Sequence, residues 1–135
     1  MTVTTCLSFS LPATPASVRK ARVSVADAAA GLGASQRVVD DIRLCVSEAV
    51  SNVVRHAYNT KRGVIDVALE RENGELNVVV RDEGRGMDTE APNKTTAGGY
   101  GLRIIDAVAD RMTITSADET GTEVRMKFLS VPAML

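Results

Sequence analysis

Glu48, Asn52 and His56 stand four residues apart in the run Glu48-Ala-Val-Ser-Asn52-Val-Val-Arg-His56-Ala-Tyr58. In a helix, a step of four residues turns the side chain by only about 40°, so a carboxylate at 48 and a carboxamide at 52 project from nearly the same face. They can share one ligand. A carboxamide oxygen suits magnesium, which takes few protein ligands and draws the rest from phosphates and water. Two glycine clusters follow, Asp82-Glu-Gly84-Arg-Gly86 and Gly98-Gly99-Tyr-Gly101-Leu. Asp82, at the end of a strand pattern, can accept a hydrogen bond from an exocyclic amine, and Gly84 and Gly86 let the backbone approach a flat base. Adenine offers such an amine, whereas guanine presents a different edge. The second cluster opens a helical pattern and offers unhindered N–H groups at its positive end, a cradle for phosphate. Metal helix, base-binding turn and phosphate cradle together describe a nucleotide site.

Taken singly, these features are weaker. Glu48 alone reads as a solvated charge, the Asp82 cluster as an ordinary turn, and Gly98 to Leu102 as a flexible loop joining a helix. Asn52 is harder to set aside, because Val50, Val53 and Val54 place it at the border of an apolar face where its amide needs a partner. His56 is the sole histidine; it reads as a helix-end residue favoured by the dipole and packed beside Tyr58, not as a phosphoacceptor. Arg55 either reaches a phosphate or partner or serves solubility and dipole compensation, and the sequence leaves both open.

The elements that must hold these residues follow from periodicity. Leu7 to Leu11 alternates in polarity and ends at Pro12, a short strand. Thr14-Pro15 caps and opens a helix through Leu32, with Val18, Ala21, Val25 and Ala28 on its apolar face and Gly31 and Gly33 stopping it. Ser35 caps a second helix, with Val38, Ile42, Cys45, Ala49 and Val53 at helical spacing, that runs to about Tyr58. Val64 to Glu70 and Leu76 to Arg81 then alternate with period two, joined at Glu72-Asn73-Gly74 as an antiparallel hairpin. Residues 83 to 98, rich in Gly, Thr, Asn and Pro, have no period and read as a lid. A third helix spans about Gly99 to Ala109, and Met112 to Ser116 and Thr122 to Leu129 form a second hairpin around Thr120-Gly121. Helices and strands come in runs, so the expected fold is α+β: a two-layer sandwich with a mixed, mainly antiparallel sheet and about three helices on one face. No P-loop or dinucleotide fingerprint follows a first strand.

At 135 residues the chain has the size of one domain, 1–135, without room for a second catalytic unit. Sixteen basic and seventeen acidic side chains give a net charge of -1 without a basic run, which argues against direct nucleic-acid binding. Cys6 and Cys45 lie in apolar patterns and read as buried free thiols in a reducing compartment. With no basic start and no apolar run of membrane-spanning length, the expectation is a soluble, cytoplasmic protein that does not engage membrane.

At these residues the chain resembles the GHKL ATPases of the Bergerat fold, and within them the small anti-sigma-factor serine/threonine-protein kinases of bacteria. The pattern is Glu48-Ala-x-x-Asn52-x-x-x-His56-Ala-Tyr58, Asp82-x-Gly84-x-Gly86, Gly98-Gly99-x-Gly101-Leu102-x-Ile104-Ile105 and Gly121-Thr122, which covers essentially the whole chain. The resemblance implies that Asn52 ligates Mg2+ bridging the phosphates of ATP and that Asp82 binds the adenine amino group, supported by Thr122. It implies that Gly84 and Gly86 line the base and that Gly99 and Gly101 hold phosphates; Met87, Gly98, Tyr100 and Leu102 complete the nucleotide-binding set. Glu48 would be the general base that deprotonates a serine hydroxyl on a partner. The implied partners are a sigma factor, held inactive, and a STAS-type antagonist, phosphorylated on serine; a homodimer is common in the family. The lid, Met87 to Ala97, lacks the Phe-bearing box of many sensor histidine kinases, and no helix carries a phosphoacceptor histidine. The alternative is a nucleotide-gated partner-binding regulator with little or no kinase activity, and a plain ATPase is a third reading.

Overall fold

The computed structural model describes residues 2–57, 63–83, 102–117 and 121–129. In chain order these form β1 (Thr4–Pro12), α1 (Pro15–Gly31), α2 (Gln36–Asn52) continued by a π-helical turn (Val53–Ala57), β2 (Val64–Glu72), β3 (Glu75–Asp82), α3 (Leu102–Val108), β4 (Arg111–Ala117) and β5 (Gly121–Leu129). The five strands form one sheet in the order β1-β2-β3-β5-β4. Every described pair is antiparallel, where the sequence had suggested a mixed sheet. The α+β two-layer architecture is otherwise as expected.

Strand alternation builds the core. Ile65, Val67 and Leu69 of β2, Leu76, Val78 and Val80 of β3, and Val124, Met126 and Phe128 of β5 are buried with Ala21, Val25 and Ala29 of α1 and Ile42, Cys45, Val46, Ala49 and Val50 of α2. Leu102 and Ile105 of α3 close it. The opposite face of the sheet carries a charged ladder. Arg125 bridges Glu70 at 3.1 Å and Glu123 at 3.0 Å, and Lys127 meets Glu75 at 3.2 Å. Asn77 and Val79, the cross-strand partners of Lys127 and Arg125, are buried on that face.

Local chemistry sets the joints. The Asn73-Gly74 hairpin is made as its sequence demands, with Asn73 at φ 56°. Gly33, at φ 94°, ends α1, and the Ala34 N–H reaches back to the Ala29 carbonyl at 3.1 Å. Ser35 caps α2, its hydroxyl accepting from the Val38 N–H at 3.2 Å. Thr14 occupies the cap position of α1 but its side chain caps no N–H; it faces the Ser17 hydroxyl, which itself donates to the Pro12 carbonyl and ties α1 to β1.

Two boundaries differ from the expectation. β1 begins at Thr4 because its register shifts between Thr5 and Leu7, and that irregularity hides the first residues from an alternation count. Cys6, at this shift on an edge strand, is half-buried, and only Cys45 is a core thiol; both are free. The regular part of α2 stops at Asn52 rather than near Tyr58, because Val53 to Ala57 wind as a π turn. One turn of apolar Val53 and Val54 keeps its core side in either winding, so the residue pattern could not distinguish them. Among the described residues no helix is long and apolar enough to cross a membrane.

Two outcomes test this packing. Phe128, 1% exposed opposite Leu76, should cost about 3–5 kcal/mol when replaced by alanine, read from denaturant unfolding. The Cys45 thiol is pushed up to about 12, first by burial and then by the charges of Asp41 and Glu48. A thiol reagent at pH 8 should therefore modify Cys6 in the folded protein and reach Cys45 only on unfolding.

Candidate nucleotide site

The antiparallel register sets Leu11, Ile65, Asp82, Thr122 and Ser116 in one row across the sheet. Along β3, Asp82 falls in the same alternation as Leu76, Val78 and Val80, so it stands on the helix-covered side at the end of an apolar column. It is 3% exposed, and Thr122 opposite it is 5% exposed. Burying a carboxylate in such a place is costly unless hydrogen bonds compensate. Neither Asp82 nor Thr122 is without a partner. A core position filled by an acid is the strongest departure from binary patterning in the sheet, and such departures concentrate at functional sites.

Gly121, the residue before Thr122, holds this arrangement open. It lies at φ 88°, and a Cβ there would run into the Asp82 carbonyl and come within 2.7 Å of Glu83 Cα. Only glycine lets the start of β5 lie so close to the backbone of the aspartate. The sequence pattern contained Gly121, yet its steric role is a property of the pairing and not of the local residues.

On the helical layer, Glu48 and Asn52 keep the four-residue spacing and share one face of α2; Glu48 is half-buried and Asn52 is 4% exposed. Beyond Asn52 the regular winding gives way to the π turn Val53–Ala57. The Asn52 oxygen accepts a hydrogen bond from Arg55 Nη2 at 3.3 Å, while its Nδ2 has no partner among the described residues. An unsatisfied buried donor costs about 1–3 kcal/mol, which a ligand oxygen would relieve. A carboxamide oxygen is a hard ligand of the kind magnesium takes, so the oxygen side of this residue suits that cation. Near Glu48, the Ser47 hydroxyl accepts from Arg22 Nη1 at 3.3 Å and donates to the Arg43 carbonyl at 2.8 Å, fixing the α1–α2 contact.

The chain passes from the helical layer to the sheet directly after the π turn. Residues 58 to 62 bridge the π turn to Gly63 over about 20 Å at most, and Gly63 leads into Ile65, the partner of Asp82. The end of α3 is tied to the far end of the sheet, where the Asp110 N–H meets the Lys127 carbonyl at 2.9 Å. The Leu102 side chain is buried in the core, leaving its backbone N–H as the group a ligand could use. Gly84, Gly86, Met87, Gly98, Gly99, Tyr100 and Gly101, and the lid apart from Glu83, lie outside the described residues.

Residues 11–128 match the model of the histidine kinase-like ATPase domain. An anti-sigma F factor of Clostridium acetobutylicum is 32% identical over 117 residues, 79% of this chain and 81% of that protein. A serine-protein kinase RsbW of Staphylococcus epidermidis is 29% identical over 135 residues, 89% of this chain and 84% of the kinase. Among solved structures, the RsbU and RsbW domains of a Mycobacterium tuberculosis protein align with a TM-score of 0.72 at 25% identity, over 96% of this chain and 32% of that one. The chain thus spans about a third of that structure's length.

Gly121→Ala should displace the Asp82 backbone and lower unfolding stability by about 2 kcal/mol or more, because a left-handed φ and a backbone clash coincide there. Chemical denaturation measures this directly. Gly31→Ala, where a Cβ meets nothing within 4 Å, is the matched control and should be neutral or slightly stabilising.

Proposed function

Since the chain belongs to the histidine kinase-like ATPase domain family, we propose that it is an ATP-dependent protein serine/threonine kinase of the anti-sigma-factor type. The observation that carries this reading is the buried Asp82–Thr122 pair at the end of the sheet, combined with a buried asparagine one helical turn from a half-buried glutamate. The names of the relatives, an anti-sigma F factor and a serine-protein kinase, support the subfamily.

In this reading Asp82 accepts the adenine 6-amino hydrogen, Thr122 holds the carboxylate in place, and Gly84, Gly86 and Met87 border the base. Asn52 holds magnesium through its oxygen. Backbone N–H groups of the Gly98–Leu102 segment take the phosphates. Magnesium ATP, when bound, supplies the phosphoryl group and the neutralisation of its charge. Glu48 accepts the proton of the attacking serine hydroxyl, a role that its place on the Asn52 face of α2 supports. Buried Cys45, one turn earlier, stays a neutral thiol and takes no part.

The substrate is a serine of a STAS-type antagonist, and the sequestered partner is a sigma factor; the kinase works as a cytoplasmic homodimer. Glu48→Gln keeps the shape and removes the base. It should retain ATP binding while phosphoryl transfer to a STAS-type antagonist falls by about 10²–10⁴-fold, followed with radiolabelled ATP. Transfer at the normal rate by this variant would remove Glu48 as the base. A wild type that binds ATP yet phosphorylates no such antagonist would leave a nucleotide-gated binder.

A further inference from the structure

Arg55 is exposed, but its guanidinium reaches inward to the oxygen of buried Asn52 at 3.3 Å. The other end of that amide, Nδ2, has no hydrogen-bond partner among the described residues. The carboxamide is therefore held from its oxygen side alone. The contact spans three positions across the junction where α2 passes into the π turn.

From this geometry we infer that Arg55 is a positioning residue that holds the metal-ligand oxygen of Asn52 and competes with the cation for it. This rests on Asn52 as the magnesium ligand. A carboxamide oxygen has two lone pairs, but a guanidinium and a divalent cation on the same atom are like charges at contact distance, and they repel. Magnesium loading therefore requires Arg55 to leave Asn52, and its exposure gives it room to do so. The amide, freed on its oxygen side, can then turn its unpartnered Nδ2 toward a phosphate oxygen. Arg55 thereby makes loading depend on cation and nucleotide arriving together, and it keeps the oxygen from standing bare between cycles.

The competition is measurable as the factor by which magnesium strengthens nucleotide binding. Calorimetric affinities for a non-hydrolysable ATP analogue, taken with magnesium and with chelator, give that factor for the wild type and for Arg55→Met, which keeps the side-chain stem and removes the charge. Because Arg55 is exposed, the variant should still fold, with an unfolding transition lowered by the lost hydrogen bond to buried Asn52. The expected result is a magnesium factor about three- to tenfold larger in Arg55→Met than in the wild type, the range of an outlying charged hydrogen bond. The increase should vanish when both proteins also carry Asn52→Ala. An unchanged or smaller factor in Arg55→Met, or an increase that survives Asn52→Ala, overturns the inference while leaving the nucleotide site standing. A wild type whose nucleotide affinity ignores magnesium overturns the reading of Asn52 and the inference with it.

Discussion

The buried carboxylate of Asp82 is the constraint around which the rest of this fold is arranged. A carboxylate 3% exposed in a column otherwise made of Leu76, Val78 and Val80 is tolerated only where polar partners surround it. The antiparallel register of three strands sets it between Ile65, which continues the apolar core, and the hydroxyl-bearing Thr122. Gly121 lets β5 begin against the aspartate backbone. A slip of one residue in either pairing would turn Asp82 to the charged face and bring Arg81 into the core. The ladder on the opposite face, where Arg125 joins Glu70 of β2 to Glu123 of its own strand, adds a charge pattern that fits one register.

The helical layer answers the sheet with a second buried polar group. Asn52 sits where α2 ends and a wider turn begins, and the wider turn separates two tasks. The regular part keeps Glu48 and Asn52 on one face, while the π turn releases Arg55 from the strict row and lets it fold back on the Asn52 oxygen. Core and site are continuous here, since Ala49, Val50 and Val53 anchor the same turn from which the polar face projects.

Much of this was legible in the residues. The Asn73-Gly74 turn, the Ser35 cap and the apolar periods of α1 and α2 placed the elements, because each rests on chemistry confined to a few neighbouring positions. Asp82 stood out beside its glycine cluster, Thr122 entered only through the family resemblance, and the structure makes them direct cross-strand partners. What the sequence hid depends on distant chain segments. The register shift near Cys6 is set by pairing with Glu70 and Leu69, the π turn has the same apolar pattern as an α turn, and the need for glycine at 121 exists only because the Asp82 backbone lies against it. The Arg55–Asn52 contact likewise could not be read from spacing, which allows a solvated arginine equally well.

If Asp82 reads adenine within a magnesium-dependent site, calorimetric titration of the purified protein with ATP and with GTP, each with magnesium, should show binding of ATP in preference to GTP. The same titration of Asp82→Ala should show that binding lost, with the variant still folded. Equal affinity for the two nucleotides, or ATP binding that survives the loss of Asp82, would contradict that reading.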